Sequence, residues 1–165
     1  MSSRKPGRLQ RTSARSKPLD RLETAALRYL ARRERHEGQV RAHLERAGAS
    51  PSQIRTLLSR FRRLGYLDDR GYARRWIEAR LQRKPMGRER AEAELLAKGF
   101  DPSVLRETLD EVYREQDERR LAQSLLHQGG YDRQDGPIAR MAALLRRHGF
   151  TDETIESVLE ECRRP

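Results

Sequence analysis

"LLAKGFDPSVLRETL" runs from Leu95 to Leu109; "LRRHGFTDETIESVL" repeats its grammar from Leu145 to Leu159, and "LERAGASPSQIRTLL" anticipates it from Leu44 to Leu58. In each copy a leucine (Leu44, Leu95, Leu145) stands four residues before a glycine (Gly48, Gly99, Gly149). An apolar residue follows that glycine by six (Ile54, Leu105, Ile155) and a leucine by ten (Leu58, Leu109, Leu159). Glycine just past an apolar helical stretch marks a helix end, because the left-handed backbone there carries no Cβ penalty. Ser50, Asp101 and Thr151 come two residues later and are N-cap types. Pro51 and Pro102 then fall at the first helical position, where a missing N–H costs nothing. Each copy therefore predicts helix, tight turn, helix, with Ala49, Phe100 and Phe150 stapling the turn to the helix that follows.

A further helix fits before each pair. Leu27, Leu30 and Ala31 mark the first, Ala73, Trp76 and Ile77 the second, and Leu121, Ala122, Leu125 and Leu126 the third, all at the spacing of one buried stripe. The helix carrying Ile54, Leu57, Leu58, Phe61 and Leu64 is the clearest of all, and Asp68 and Asp69 after "RLGYL" cap the next. No segment alternates as a strand does. The expected fold is all-α, with three tandem three-helix repeats stacked as an elongated, curved array, since a period near fifty residues makes each unit contact its neighbours. The units are read as 20–67, 68–113 and 114–165, preceded by a basic tail at 1–19. That tail has six basic, no acidic and few apolar side chains, too little to offset its ordering entropy, and it is read as disordered.

The 165 residues are 35% apolar and 37% charged, poor for one thick core but sufficient for several thin helical ones. A single cysteine, Cys162, excludes an internal disulfide framework and suits a reducing cytoplasm. It falls on the apolar stripe of the last helix, four after Val158, where a buried hydrophobe is expected and not a nucleophile. No apolar run approaches the roughly eighteen residues of a membrane span. A glycine-rich phosphate loop, Gly-x-Ser-x-Gly and His-Glu-x-x-His are all missing, so no enzyme and no cofactor are expected. His36, His43, His127 and His148 are scattered and read as surface residues, with Gly38 breaking the helix between the first two; no metal site is expected.

What stands out is charge. The net charge is +11, and the excess is concentrated towards the N-terminal half. Between positions 60 and 88 lie Arg60, Arg62, Arg63, Arg70, Arg74, Arg75, Arg80, Arg83, Lys84 and Arg88, opposed only by Asp68, Asp69 and Glu78. From Glu89 to Tyr113 the sign reverses, with seven acids against three bases. A charge run is by default a solvated face. The local excess of seven, the preference for arginine and the basic tail favour a surface for phosphate or for an acidic protein. Trp76 among these arginines is read as core, and no ordered aromatic platform for stacking bases is present. A groove-reading helix-turn-helix is disfavoured, because the third copy of the turn is acidic.

Four stretches, "ALRYLARRERHEGQVRAHLERAG" (26–48), "LLSRFRRLGYLDDRGYARRWIEAR" (57–80), "GRERAEAELLAKGFD" (87–101) and "LLRRHGFTDETIESVL" (144–159), together resemble the bacterial recombination regulator family RecX. The resemblance covers roughly residues 24–162, and "GYLDDRGYARRWIEAR" with the Gly-Phe turns is its most specific part. Gly65, Tyr66, Leu67, Asp68, Asp69, Ala73 and Arg80 match the central motif, and Gly87, Leu95, Gly99 and Phe100 the stretch after it. Most read as caps, turns and core. Arg80 stands near the buried stripe, where it either pairs with an acid or lines an interface. The resemblance implies a non-enzymatic modulator of the RecA recombinase that binds the RecA–DNA filament along its groove, contacts more than one protomer, and inhibits ATP hydrolysis and strand exchange. Repair and the SOS response are the processes this would touch. The expected partners are that filament and, by non-specific electrostatics, single- and double-stranded DNA; the chain itself is expected to be a cytoplasmic monomer. The alternative is a general DNA-binding protein acting through the basic surface alone.

Overall fold

The structure, a computed structural model, describes residues 18–131 and 137–163. Most of the basic tail, residues 1–17, lies outside the described residues. Among those described there are nine helices and no strand: α1 (Leu19–Leu30), α2 (Glu37–Arg46), α3 (Pro51–Arg63), α4 (Asp69–Arg83), α5 (Arg88–Ala97), α6 (Pro102–Gln116), α7 (Glu118–Gln128), α8 (Ile138–Arg147) and α9 (Asp152–Arg163). Helix α1 begins at Leu19, the residue read as the end of the tail.

The repeated turns form as their residues dictate. Gly48, Gly99 and Gly149 have φ of +84°, +89° and +73°. The amides of Ala49, Phe100 and Phe150 reach back to the carbonyls of Leu44, Leu95 and Leu145, the six-to-one bond of a Schellman motif. Ser50 accepts from the Gln53 amide and Gln53 from the Ser50 amide, a complete capping box. Asp101 caps α6 through the Ser103 amide, and Thr151 caps α9 through the Thr154 amide. Asp68 caps α4 through the Gly71 amide, whereas Asp69 turns away to a different partner.

Three cores result. Leu22, Ala26, Val40, Leu44, Ile54, Leu57, Leu58, Phe61 and Leu67 form the first, residues between Ala73 and Tyr113 the second, and residues between Ala122 and Leu159 the third. Each fully buried leucine contributes about 1.5–3 kcal/mol, so each core is thin. Several expectations shift. The deep stripe of α1 is Leu22 and Ala26, one turn earlier than expected, with Leu27 and Leu30 packed at its rim and Ala31 exposed. Leu64 caps the end of α3 and is 52% exposed, because the left-handed Gly65 turns the chain before it can enter the core. Trp76 is only half-buried against the second core, its neighbours Ala73 and Ile77 taking the interior. Cys162 packs at the edge of the third core.

Successive units meet through one device used twice. The amide of Glu37, first residue of α2, donates to Asp69 Oδ1 at 2.8 Å, and Asp69 is the first residue of α4. The amide of Arg88, first residue of α5, donates to Glu118 Oε1 at 2.8 Å, and Glu118 is the first residue of α7. Each joint also presses a glycine turn onto the start of the preceding unit's second helix. A Cβ on Gly38 would lie 2.4 Å from Gly99 O, and one on Gly87 would lie 2.1 Å from Gly149 O. Gly38 therefore opens α2 by allowing close approach; it does not break a helix. His36 is not a surface residue. It is 2% exposed, stacked on Phe100 at 4.2 Å and edge-on to Tyr72 at 5.8 Å, and fills the first joint. Between α6 and α7 no loop intervenes: the chain bends at Asp117, which holds φ +52° and caps α7.

Candidate anion-binding surface

Nine of the ten basic residues singled out from sequence lie on α3, α4 and the start of α5, and Lys84 follows the last residue of α4. In space they meet the acidic run that follows them. Arg70 pairs with Glu111 and, at 3.4 Å, Glu107; Arg74 pairs with Glu115 and, at 2.9 Å, Glu78. Both α6 partners lie one helical turn apart, so α4 and α6 zip together along their solvent edges. Arg88 reaches Asp110 at 2.5 Å, Arg60 reaches Glu23 at 2.7 Å, Arg62 reaches Glu37 at 3.4 Å, and Arg75 pairs with Glu34 across the first joint. Arg80 pairs with Glu94 at 2.7 Å, its guanidinium 5.5 Å from the centre of the Trp76 ring. Of its two sequence readings, pairing with an acid is therefore present. Arg63, Arg83 and Lys84 have no ion pair among the described residues.

The charges of this network tune one another. The hydrogen bond and charge of Glu115 hold the Arg74 guanidinium above its ordinary pKa. Glu94 is pushed up by burial, and the hydrogen bonds and charges of Arg90 and Arg80 more than reverse that, leaving its carboxyl below the usual range. His36 is pushed down to about 4, first by burial and then by Lys98 and Arg35, so it is neutral at physiological pH. The Tyr113 hydroxyl, buried and donating to Met86 O at 3.2 Å, is pushed above its ordinary range by that burial.

Two clefts lie at the joints. One of about 690 Å³ opens between the first two units, with Arg41, Arg62 and Arg70 facing Glu37, Asp68, Asp69 and Asp101, a balanced mixture. Another, of about 130 Å³, lies at the second joint and is lined by Arg80, Arg83, Lys84, Arg90 and His148, with no carboxylate in its wall. Arg90 and His148 were not picked out from sequence: Arg90 sits in the acidic run, and His148 lies sixty residues beyond the arginine cluster. The signal that links them is the repeat itself, because His148 precedes the glycine turn that docks on α5. Among the described residues no three His, Cys, Asp or Glu side chains are placed to hold a metal ion, and no helix is long and apolar enough to cross a membrane.

Known proteins carry the same pattern. The first three-helix domain of RecX matches residues 24–61 and the second matches residues 68–109. The regulatory protein RecX of Amycolatopsis mediterranei is 30% identical over 137 residues, covering 80% of this chain and 77% of the relative. That of Geobacillus kaustophilus is 31% identical over 140 residues, 82% of this chain, and this chain spans about half (52%) of that longer relative. The crystal structure of RecX from Lactobacillus salivarius superposes with a TM-score of 0.71 at 19% identity, covering 87% of this chain and 96% of the other, which bears on fold alone. With both three-helix domain models matched and a RecX relative 30% identical over 77% of its own length, this chain belongs to the RecX family.

Proposed function

We propose that this chain is a regulator of the RecA recombinase that binds the RecA–DNA filament and lowers its ATP hydrolysis and strand exchange, without catalysing a reaction itself. Family membership across the repeated helices is the observation that carries the reading. The three units, taken as 20–67, 68–113 and 114–165, engage successive protomers, and modest contacts then add through effective concentration. The contact surface is the basic run from Arg60 to Arg88. Its paired arginines remain available, since exposed ion pairs are worth only about 0–1 kcal/mol and exchange readily for a partner's carboxylate or phosphate. The chain acts in the cytoplasm as a monomer, with neither cofactor nor membrane.

The test is ATP hydrolysis by RecA on single-stranded DNA, titrated with this protein, with bare-DNA binding measured in the same buffer. Suppression well below the concentration that coats the DNA is expected. Suppression only once the DNA is saturated would overturn filament regulation in favour of simple competition for phosphates.

A further inference from the structure

The linear excess of positive charge between Arg60 and Arg88 mostly disappears in the fold, because α1, the α1–α2 connection, α2, α5 and α6 supply carboxylates to seven of the ten cations. It survives where α4 ends. Arg83 and Lys84 are exposed and have no ion pair among the described residues, and both line the cleft of about 130 Å³ at the second joint. Arg80 and Arg90 complete its cationic wall and share one carboxylate, Glu94, at 2.7 and 3.0 Å. Four cations against one acid leave an excess of three. His148 adds an imidazole whose Nδ1 donates to Leu144 O at 2.9 Å.

The cleft is held in shape by backbone. The Gly87 amide donates to His148 O at 2.8 Å and the Glu89 amide to Gly149 O at 3.0 Å, so the wall from the third unit is fixed against the second without side-chain cost. Pro85 and Met86 are buried and form an apolar floor, which strengthens any charge–charge contact above it. The volume corresponds to about four waters.

The geometry points to a site for one backbone phosphate of a nucleic acid strand, formed by Arg80, Arg83, Lys84 and Arg90 at the joint between the second and third units. A planar carboxylate is satisfied by a single guanidinium fork, whereas a tetrahedral phosphodiester presents oxygens in several directions to donors arriving from α4, the 84–86 segment and α5. No Phe, Tyr or Trp side chain lines the cleft, so the strand is held chiefly by its backbone and with little base preference. The site deepens the reading that this chain works against a DNA-bearing filament, and it rests on that reading.

The test uses the full chain and the double variant Arg83→Gln/Lys84→Gln, with Arg106→Gln/Arg114→Gln on α6 as a control that removes the same two charges from exposed positions. Binding of a labelled oligothymidylate is followed by fluorescence anisotropy over a range of salt. Loss of the one phosphate contact should lower the log–log salt slope by about 0.7 in the first variant, with little change in the control. An unchanged slope, or an equal fall in both variants, overturns the site. Displacement of the probe from wild-type protein by inorganic phosphate, beyond the effect of chloride at equal ionic strength, would assign the cleft to free phosphate and overturn the nucleic-acid assignment. RecA ATPase is assayed in parallel. A reduced slope with inhibition retained supports the site and places the regulatory contact elsewhere; lost inhibition with an intact slope overturns the site while leaving filament regulation standing.

Discussion

The amide of Glu37 donates to the carboxylate of Asp69 at 2.8 Å, thirty-two residues away and in the next unit of the array. This bond satisfies one of the amides that every helix leaves unpaired at its start, and it does so with a side chain that begins another helix. Arg88 and Glu118 repeat the arrangement at the same 2.8 Å. A negative group at a helix N-terminus is favourable for both helices it touches. The joints are therefore polar at their rims and glycine-lined at their centres, and their geometry depends on how closely the backbones approach.

That dependence separates two glycines with nearly the same backbone. Gly48 (φ +84°) has nothing within 4 Å of a notional Cβ. Gly149 (φ +73°) would place one 2.4 Å from both the Arg90 amide nitrogen and Cβ. Both Ala substitutions carry the left-handed penalty of about 1–2 kcal/mol. Gly149→Ala adds overpacking of about 1–3 kcal/mol at the second joint. Urea unfolding should show Gly149→Ala to be the more destabilised by that difference, and small-angle scattering should show a changed envelope for Gly149→Ala alone. Equal losses in the two variants would mean that the joint yields freely.

The turns, caps and order of helices were legible because each is local: glycine, cap residue and proline sit within four positions of one another. The joints were not. His36 gives no periodic signal, and its partners Tyr72 and Phe100 are distant in sequence. The charge surface was legible only as composition. Arg70 and Glu111, Arg74 and Glu115, and Arg75 and Glu34 are each forty-one residues apart, so a run counted along the chain looked unopposed while its counter-ions waited one helix away. Helix packing, which is non-local, decided which arginines kept their charge uncompensated.

Acid should loosen the first joint before the cores. His36 has a folded pKa of about 4 against an ordinary 6.5. The fold thus prefers the neutral ring, and the stability it contributes is fully present above pH 6.5 and lost as pH falls through 4. The whole shift is worth about 3 kcal/mol. Lys98 and Arg35 act in the same direction as burial. Asp69 in the same joint is raised by burial, despite the Glu37 amide, so it favours the fold when protonated and works in the opposite sense. Comparing wild type with His36→Leu cancels the Asp69 contribution. The difference in thermal midpoint between the two proteins should shift in favour of the variant between pH 6.5 and 4; a difference independent of pH would show that His36 takes up its proton as readily in the fold as in the unfolded chain, and that the joint does not disfavour the charged ring.

Reversing charge on α4 should have two distinguishable effects. Arg74 is bonded to Glu78 and Glu115, so Arg74→Glu places a third carboxylate among two. That variant should lose thermal stability as well as any inhibition of RecA, and its functional loss cannot be read alone. Arg83 has no ion pair among the described residues and is exposed, so Arg83→Glu breaks no ion pair of the α4–α6 network. It should keep the wild-type melting midpoint and helical signal, yet lose most of its inhibition of RecA ATPase and bind the oligothymidylate with a shallower salt slope. Retained inhibition in folded Arg83→Glu would remove the end of α4 from the contact surface and leave Arg63 on α3 as the cation of the run that is away from that end and has no ion pair among the described residues.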